Sequence, residues 1–205
     1  MVATILEWLA SLVISVIDAI GYVGIFLLMV LDSFNIPIPS EVTMPFSGFL
    51  ASKGSFSFWL VVLAGTVGSY IGSVASYYLA GWLITNRKKL FLHFILNDAF
   101  LEEANAWFVR YGSASIFFGR IIPIVRTFIS LPAGLGRVPF RKFTYYTIAG
   151  SLMWSIFLTY IGWILGENWE HIRDYFHRFD IVVAVLIGAG VAWWAYRHFR
   201  VKRNG

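Results

Sequence analysis

Residues 56 to 84 carry no charged side chain, and 29 residues of helix run about 44 Å, more than the roughly 30 Å hydrocarbon core of a bilayer. Such a run decides the solvent for the whole chain. In lipid every backbone amide and carbonyl must be paired within the protein, which leaves helices or a closed barrel. The rest of the chain agrees, since 59% of its 205 residues are apolar and 13% are charged, about half the charged share of a soluble domain. Gly65, Gly68 and Gly72 give the run a small-residue face on which a second helix can lie close. We read an all-α polytopic membrane protein, a single membrane domain over residues 1–205. A formal charge of +5 is spread to orient spans, so nucleic acid is not an expected partner. The absence of cysteine rules out disulfide and thiol chemistry. The opening "MVATILEWLA" lacks a basic n-region and a small-residue cleavage site, so no cleaved leader is expected.

Residues 1–20 read as an N-terminal helix, interfacial or spanning, interrupted by Glu7 and Asp18. Residues 21–55 start as an apolar helix, meet "NIPIPSE" and recover in "VTMPFSGFLA". Residues 56–84 form a span. Within 85–112, a cytoplasmic loop leads to an amphipathic surface helix with Phe100, Leu101, Ala104, Trp107, Phe108 and Tyr111 as its apolar stripe. Residues 113–137 are broken again, 139–166 span, 167–180 form an outer loop, 181–199 span, and 200–205 are a cytoplasmic tail. About three full spans result.

Charge decides whether 113–137 crosses. If the segment dips in and returns, Arg87, Lys88, Lys89, Arg137, Arg141, Lys142, Arg197, Arg200, Lys202 and Arg203 share one face. The other face then keeps Lys53, Arg173 and Arg178 among Glu167, Glu170, Asp174 and Asp180. A crossing would put basic clusters on both faces, against the positive-inside bias. The segment is therefore expected to be re-entrant, with the C-terminus cytoplasmic. Residues 21–55 then form a second re-entrant hairpin entering from the opposite face. Pro37 precedes Gly48 by eleven residues, as Pro123 precedes Gly134. Paired, proline-broken segments in two halves point to an inverted-repeat transporter architecture with two opposed hairpins. Pro37, Pro39, Gly48, Pro123, Pro132 and Gly134 are the residues expected to shape them.

One hairpin carries acids, Asp32 and Glu41; the other carries Arg120 and Arg126. A charge at the centre of a membrane helix costs about 2.5–3.5 kcal/mol on insertion scales, so these four must meet partners, water or a substrate. Two guanidiniums offer forks that fit a phosphate, and half-helix N-termini after Pro39 or Pro123 add partial positive charge. We take Arg120 and Arg126 as phosphate-binding, and Glu41 and Asp32 as proton-coupling or counter-ion residues, Glu41 being favoured for coupling because it follows the proline break. Ser73 and Tyr77 are candidates to line the cavity. His93, His171, His177 and His198 have no metal-ligand spacing, so no metal and no cofactor are expected. Trp59, Trp82, Trp154, Trp163, Trp169, Trp193 and Trp194 read as interface anchors. No GxSxG, HExxH or Walker loop is present, so we expect no enzyme.

"NIPIPSEVTMPFSGFLA" and "YGSASIFFGRIIPIVRTFISLPAGLGRVPFRKF" resemble the two signature regions of the DedA family, the bacterial branch of the VTT, or SNARE-associated, domain proteins, over about residues 20 to 166. The resemblance implies a multi-pass bacterial inner-membrane protein with two re-entrant hairpins, and members that translocate undecaprenyl phosphate or phospholipid. It also implies that Glu41, Arg120 and Arg126 are functional positions, with Pro37, Pro39, Pro123 and Gly134 structural. Many members carry an acid after the glycine equivalent to Gly72, where this chain has Ser73. The leading expectation is a lipid-phosphate translocase returning undecaprenyl phosphate to the cytoplasmic leaflet for envelope recycling. The partners expected are the lipid and coupling protons, a homodimer being one allowed assembly. A phospholipid flippase or scramblase with the same site, and a non-transporting assembly factor with structural charges, share these residues.

Overall fold

Glycine at position 21 breaks what would otherwise be one long apolar helix. In the computed structural model, which describes residues 2–36, 38–86 and 98–167, helix α1 covers Val2–Ser33 but Gly21 sits at φ 58° and ψ −131°. That conformation is open to glycine and closed to residues with a Cβ. The segment is thus two helical pieces, 2–20 and 22–33. By length and composition Trp8–Ser33 is long and apolar enough to cross a membrane, as are Phe58–Asn86 and Phe140–Ile164. The piece after the bend is only about 18 Å long.

Helix α1 ends where Asn35 turns left-handed at φ 71°, with Asn35 N–H donating to Asp32 O and Ile36 N–H to Leu31 O. This crossed pair satisfies carbonyls the helix would leave open, and asparagine tolerates the conformation better than most residues. Pro39 is extended (φ −72°, ψ 99°) and caps helix α2, Ser40–Ser52. Helix α3 is Phe58–Asn86 and α4 is Asp98–Tyr111. The second broken segment is α5 (Ser115–Ile121), α6 (Pro123–Phe128) and α7 (Ser130–Leu135), followed by α8, Phe140–Ile164. Ile122 is extended at φ −88° and ψ 119°, as the residue before a proline prefers. Pro132 has no N–H for the Phe128 carbonyl one turn earlier, and there α6 gives way to α7. Among the described residues no strand occurs.

The two halves repeat one plan. Helix α2 starts at Ser40 and its exit turns left-handed at Gly54 (φ 79°); α6 starts at Pro123 and the exit of α7 turns left-handed at Arg137 (φ 53°). Both intervals are fourteen residues (54 − 40 and 137 − 123), and both lead into a span that opens on phenylalanine, Phe58 or Phe140. These landmarks equate Ser40 with Pro123, three residues off the proline-to-glycine spacing visible in the sequence. Packing is exchanged between the halves: α3 packs on α1 and on α7, α8 packs on α5 and on α2, and the two spans pack on each other. Glycines permit the close contacts. A Cβ at Gly72 would overlap the Val30 carbonyl, one at Gly134 the Tyr77 carbonyl, one at Gly48 the Thr159 carbonyl, and one at Gly162 the Pro45 carbonyl.

Pro37, the basic cluster Arg87, Lys88 and Lys89, all four histidines, the outer loop beyond Glu167, the span expected at 181–199 and the tail lie outside the described residues.

Candidate functional site

Asp32 lies in the last turn of α1 and is 2% exposed; Arg120 and Arg126, from the other half, are 2% and 4% exposed. Three buried ionisable groups in an apolar fold demand partners, because an unpaired charge here would shed its hydration for nothing. Arg126 finds one in Asp32: its Nη2 donates to Asp32 Oδ2 in a buried ion pair. The other carboxylate oxygen accepts from the Thr127 hydroxyl at 3.1 Å. On its far side the Arg126 guanidinium lies over the Trp154 ring, Cζ 5.5 Å from the centroid, an attraction that strengthens in a desolvated setting.

Arg120, in the last turn of α5, is held differently. Its Nη2 donates to Ser73 Oγ of α3 and to Ser130 Oγ of α7, the latter at 2.6 Å. The Ser73 hydroxyl in turn donates a hydrogen bond to the Ser69 carbonyl. Gly150 of α8 admits the stem, since a Cβ there would stand 2.8 Å from Arg120 Cβ. Among the described residues no carboxylate lies within ion-pair distance of Arg120, and its Nε is buried without a hydrogen-bond partner. Glu41 sits in the first turn of α2, where the helix dipole favours an acid, and it is close enough to Arg126 and Asp32 to feel both charges. Arg120 feels the same two. The structure thus brings Asp32, Glu41, Arg120 and Arg126 into one electrostatic neighbourhood built from both halves. It pairs Arg126 with Asp32 and leaves Arg120, among the described residues, without a carboxylate in ion-pair contact.

The other sequence candidates divide. Ser73 belongs to the site, as the acceptor of Arg120. Tyr77 has a separate environment: its hydroxyl donates to the Val138 carbonyl at 2.7 Å and its ring packs on Phe140 and Phe143. Pro39, Pro123 and Pro132 stand at the helix breaks, and Gly48 and Gly134 at the exchanged contacts. One reading needs correction. Trp154 is not an interface anchor; it is 8% exposed near the middle of α8 and lies against Arg126. Its place well inside residues 139–166 was the signal that could have shown this. Thr127 and Ser130 also escaped the sequence reading, although they adjoin Arg126 and follow it by one turn. Trp8, Trp59, Trp82, Trp107 and Trp163 are exposed, as lipid-facing or interfacial rings would be.

Among the described residues no three of His, Cys, Asp and Glu gather into a group that could hold a metal.

Comparison with known proteins places this arrangement. The VTT domain matches residues 38–164, which include Glu41, both arginines, both exchanged contacts and both spans α3 and α8. The chain is 32% identical over 184 residues to an "Alkaline phosphatase-like protein" of Lactococcus lactis subsp. lactis (strain IL1403), covering 87% of this chain and 86% of that one. It is 28% identical over 191 residues to "Undecaprenyl phosphate transporter A" of Bacillus subtilis (strain 168), covering 91% and 88%. It is 28% identical over 134 residues to "Protein DedA" of Escherichia coli (strain K12), covering 63% and 60%. No solved structure matches the chain. With the helical membrane fold, two proline-broken segments and the VTT domain over more than half its length, the chain belongs to the VTT-domain, or DedA, family of membrane proteins.

Proposed function

We propose that this protein is a lipid-phosphate translocase of the bacterial inner membrane that moves undecaprenyl phosphate between leaflets. The observation that carries the reading is the buried guanidinium of Arg120, which among the described residues has no carboxylate in ion-pair contact, close to the Asp32 and Arg126 pair. A buried guanidinium that no carboxylate pairs favours an anion in a low-dielectric interior, and it presents the donor geometry that a phosphate accepts. Relatives named for undecaprenyl phosphate transport, in Bacillus subtilis and Staphylococcus aureus, support the lipid's identity.

In this reading the segments 22–52 and 113–135 are re-entrant hairpins. Each of their helical arms is shorter than the bilayer core, which needs about 20 helical residues. The phosphate enters between them, the prenyl tail stays in lipid, and the hairpins rock against α3 and α8 to expose the site alternately. Asp32 is the resident counter-ion of Arg126, released when the phosphate competes for the guanidinium. Glu41, next in that field, takes up and gives back the proton that couples the cycle. The C-terminus faces the cytoplasm.

Transport into proteoliposomes tests the reading. Purified protein should move radiolabelled undecaprenyl phosphate to a leaflet where a trapping enzyme reaches it, with the phosphate recovered intact. Arg126→Ala and Arg120→Ala should each abolish movement. Movement that persists in both variants sinks the phosphate role and leaves the charges structural. Release of inorganic phosphate from the lipid would instead establish a hydrolase. Faster movement of phosphatidylglycerol than of undecaprenyl phosphate would reassign the substrate, and a rate indifferent to an imposed pH gradient would remove Glu41 from coupling.

A further inference from the structure

Among the described residues, Trp154 carries the one indole buried against an arginine. Its Nε1 is a donor with no acceptor capacity, and among the described residues nothing accepts from it. Buried donors in native interiors are almost always paired, so an unpaired one calls for a partner. The position of the ring shows where that partner belongs. Arg126 lies over its face at 5.5 Å. One turn earlier on α8, Gly150 receives the stem of Arg120. Trp154 therefore stands against the Arg126 guanidinium and one turn from the stem of Arg120, on the helix that packs against α2 and α5.

Other buried polar groups lack partners too, among them Arg120 Nε and the hydroxyl of Ser151, which lies between Gly150 and Trp154 along α8. Of the three, the indole and guanidinium N–H groups can only donate. A cation would find no ligand in them, whereas an oxyanion would pair with both and with the hydroxyl as well. Some buried hydroxyls bond back to their own helix, as Ser47 does to Thr43 O and Thr66 to Val62 O; Ser151 does not, and neither do Thr147, Ser155 and Thr159 along the same buried face of α8.

We propose that Trp154 is a ligand-binding residue: its indole Nε1–H, with Arg120 Nε–H, donates to the phosphate oxygens of the anion held between the two halves, while its ring supports Arg126. This deepens the reading of the site as a lipid-phosphate site and rests on it. The chemical logic is that of a neutral donor. It adds directional recognition of the phosphate without a third positive charge that would oppose release.

The full chain in dodecyl maltoside, labelled with 15N at its nine indoles, tests this directly with farnesyl monophosphate as the probe. Trp154→Phe, which keeps an aromatic ring under Arg126, identifies the Trp154 signal by its loss. In the wild type that signal should move on adding farnesyl monophosphate and stay fixed on adding farnesol. Trp154→Phe should bind the probe at least fivefold more weakly and raise the transport KM by a similar factor, with maximal rate and thermal midpoint little changed. Movement of the signal with inorganic phosphate too would assign the contact to the phosphate group alone; movement with the farnesyl ester alone would assign it to the lipid. If the probe binds but the signal does not move and Trp154→Phe binds equally well, the contact is absent while the anion site stands. If the wild type does not bind the probe, both fall. Should Trp154→Phe not fold, Trp154→His identifies the signal instead and, keeping a ring N–H, should retain more affinity than Trp154→Leu.

Discussion

Removing the carboxylate of Asp32 should destabilise the protein far more than removing the whole ion pair. The pair is nearly desolvated, its side chains 5% and 3% exposed, so Asp32→Ala strands the Arg126 guanidinium without a counter-ion and also orphans the Thr127 hydroxyl. Stranding one member of a buried pair costs about 3–5 kcal/mol, whereas replacing both with apolar groups of similar volume is often neutral. For a chain of this size each kcal/mol moves the thermal midpoint by roughly 2–4 °C, so Asp32→Ala should lower it by about 6–20 °C. Asp32→Met with Arg126→Met should recover most of that loss. Asp32→Asn should fall between, since its amide oxygen can still accept from Thr127 while its amide nitrogen meets Arg126 donor to donor. The measurement is thermal unfolding of purified protein in detergent by intrinsic fluorescence, across the full double-mutant cycle. A midpoint for Asp32→Ala within a degree or two of wild type would refute the argument, because a stranded buried cation cannot be that cheap. The stable double-methionine variant then separates structure from function: it should fold and fail to transport.

Three further outcomes follow from single contacts. Ser73→Ala with Ser130→Ala removes both acceptors of Arg120 Nη2; leaving a buried charged donor unpaired should cost about 1–3 kcal/mol, read as a lower midpoint, while Ser73→Ala alone should cost less because Ser130 remains. Arg120→Lys keeps the charge and loses the fork, so in the transport assay it should bind phosphate more weakly than wild type yet better than Arg120→Ala; equality with Ala would show that charge is not what Arg120 supplies. Tyr77→Phe removes only the bond to the Val138 carbonyl and should cost about 1 kcal/mol in the same unfolding assay with transport intact; lost transport would move Tyr77 into the site.

Much of this fold and site is legible in the sequence because the membrane leaves few choices. An uncharged run at 56–84, prolines inside apolar segments, and two acids opposite two bases each carry a cost that only a particular arrangement removes. Asp32 and Arg126 meeting across 94 residues is such a case: neither can be buried alone. What the sequence hides is geometry that no single residue type encodes. Gly21 bends α1 through a left-handed conformation that its residue type permits but does not dictate, as the helical Gly24 three residues on shows. Trp154 looks like every other tryptophan in a membrane chain until its depth in α8 and its contact with Arg126 separate it from the exposed rings. The repeat was visible as a proline-to-glycine spacing, but its register follows the left-handed exits at Gly54 and Arg137, and the second is an arginine, which no turn rule would have singled out.

Exchange of packing between the halves makes the last expectation the most specific to this architecture. Helix α2 leans on α8, the span of the other half, and α7 leans on α3 in the same way. Each contact is close enough that a Cβ at Gly48 or at Gly134 would overlap a carbonyl of the opposite span. Neither overlap can be relieved by a rotamer change, since backbone meets backbone, so the helices must separate. Gly48→Ala and Gly134→Ala should therefore each cost about 1–3 kcal/mol as overpacking does. Gly81→Ala in α3, where a Cβ meets nothing within 4 Å, should stabilise by up to about 1 kcal/mol through helix propensity. All three are read as thermal midpoints in one detergent. A Gly48→Ala midpoint as high as that of Gly81→Ala would mean that α2 does not rest on α8. The first broken segment would then have no surface on the span of the other half to rock against.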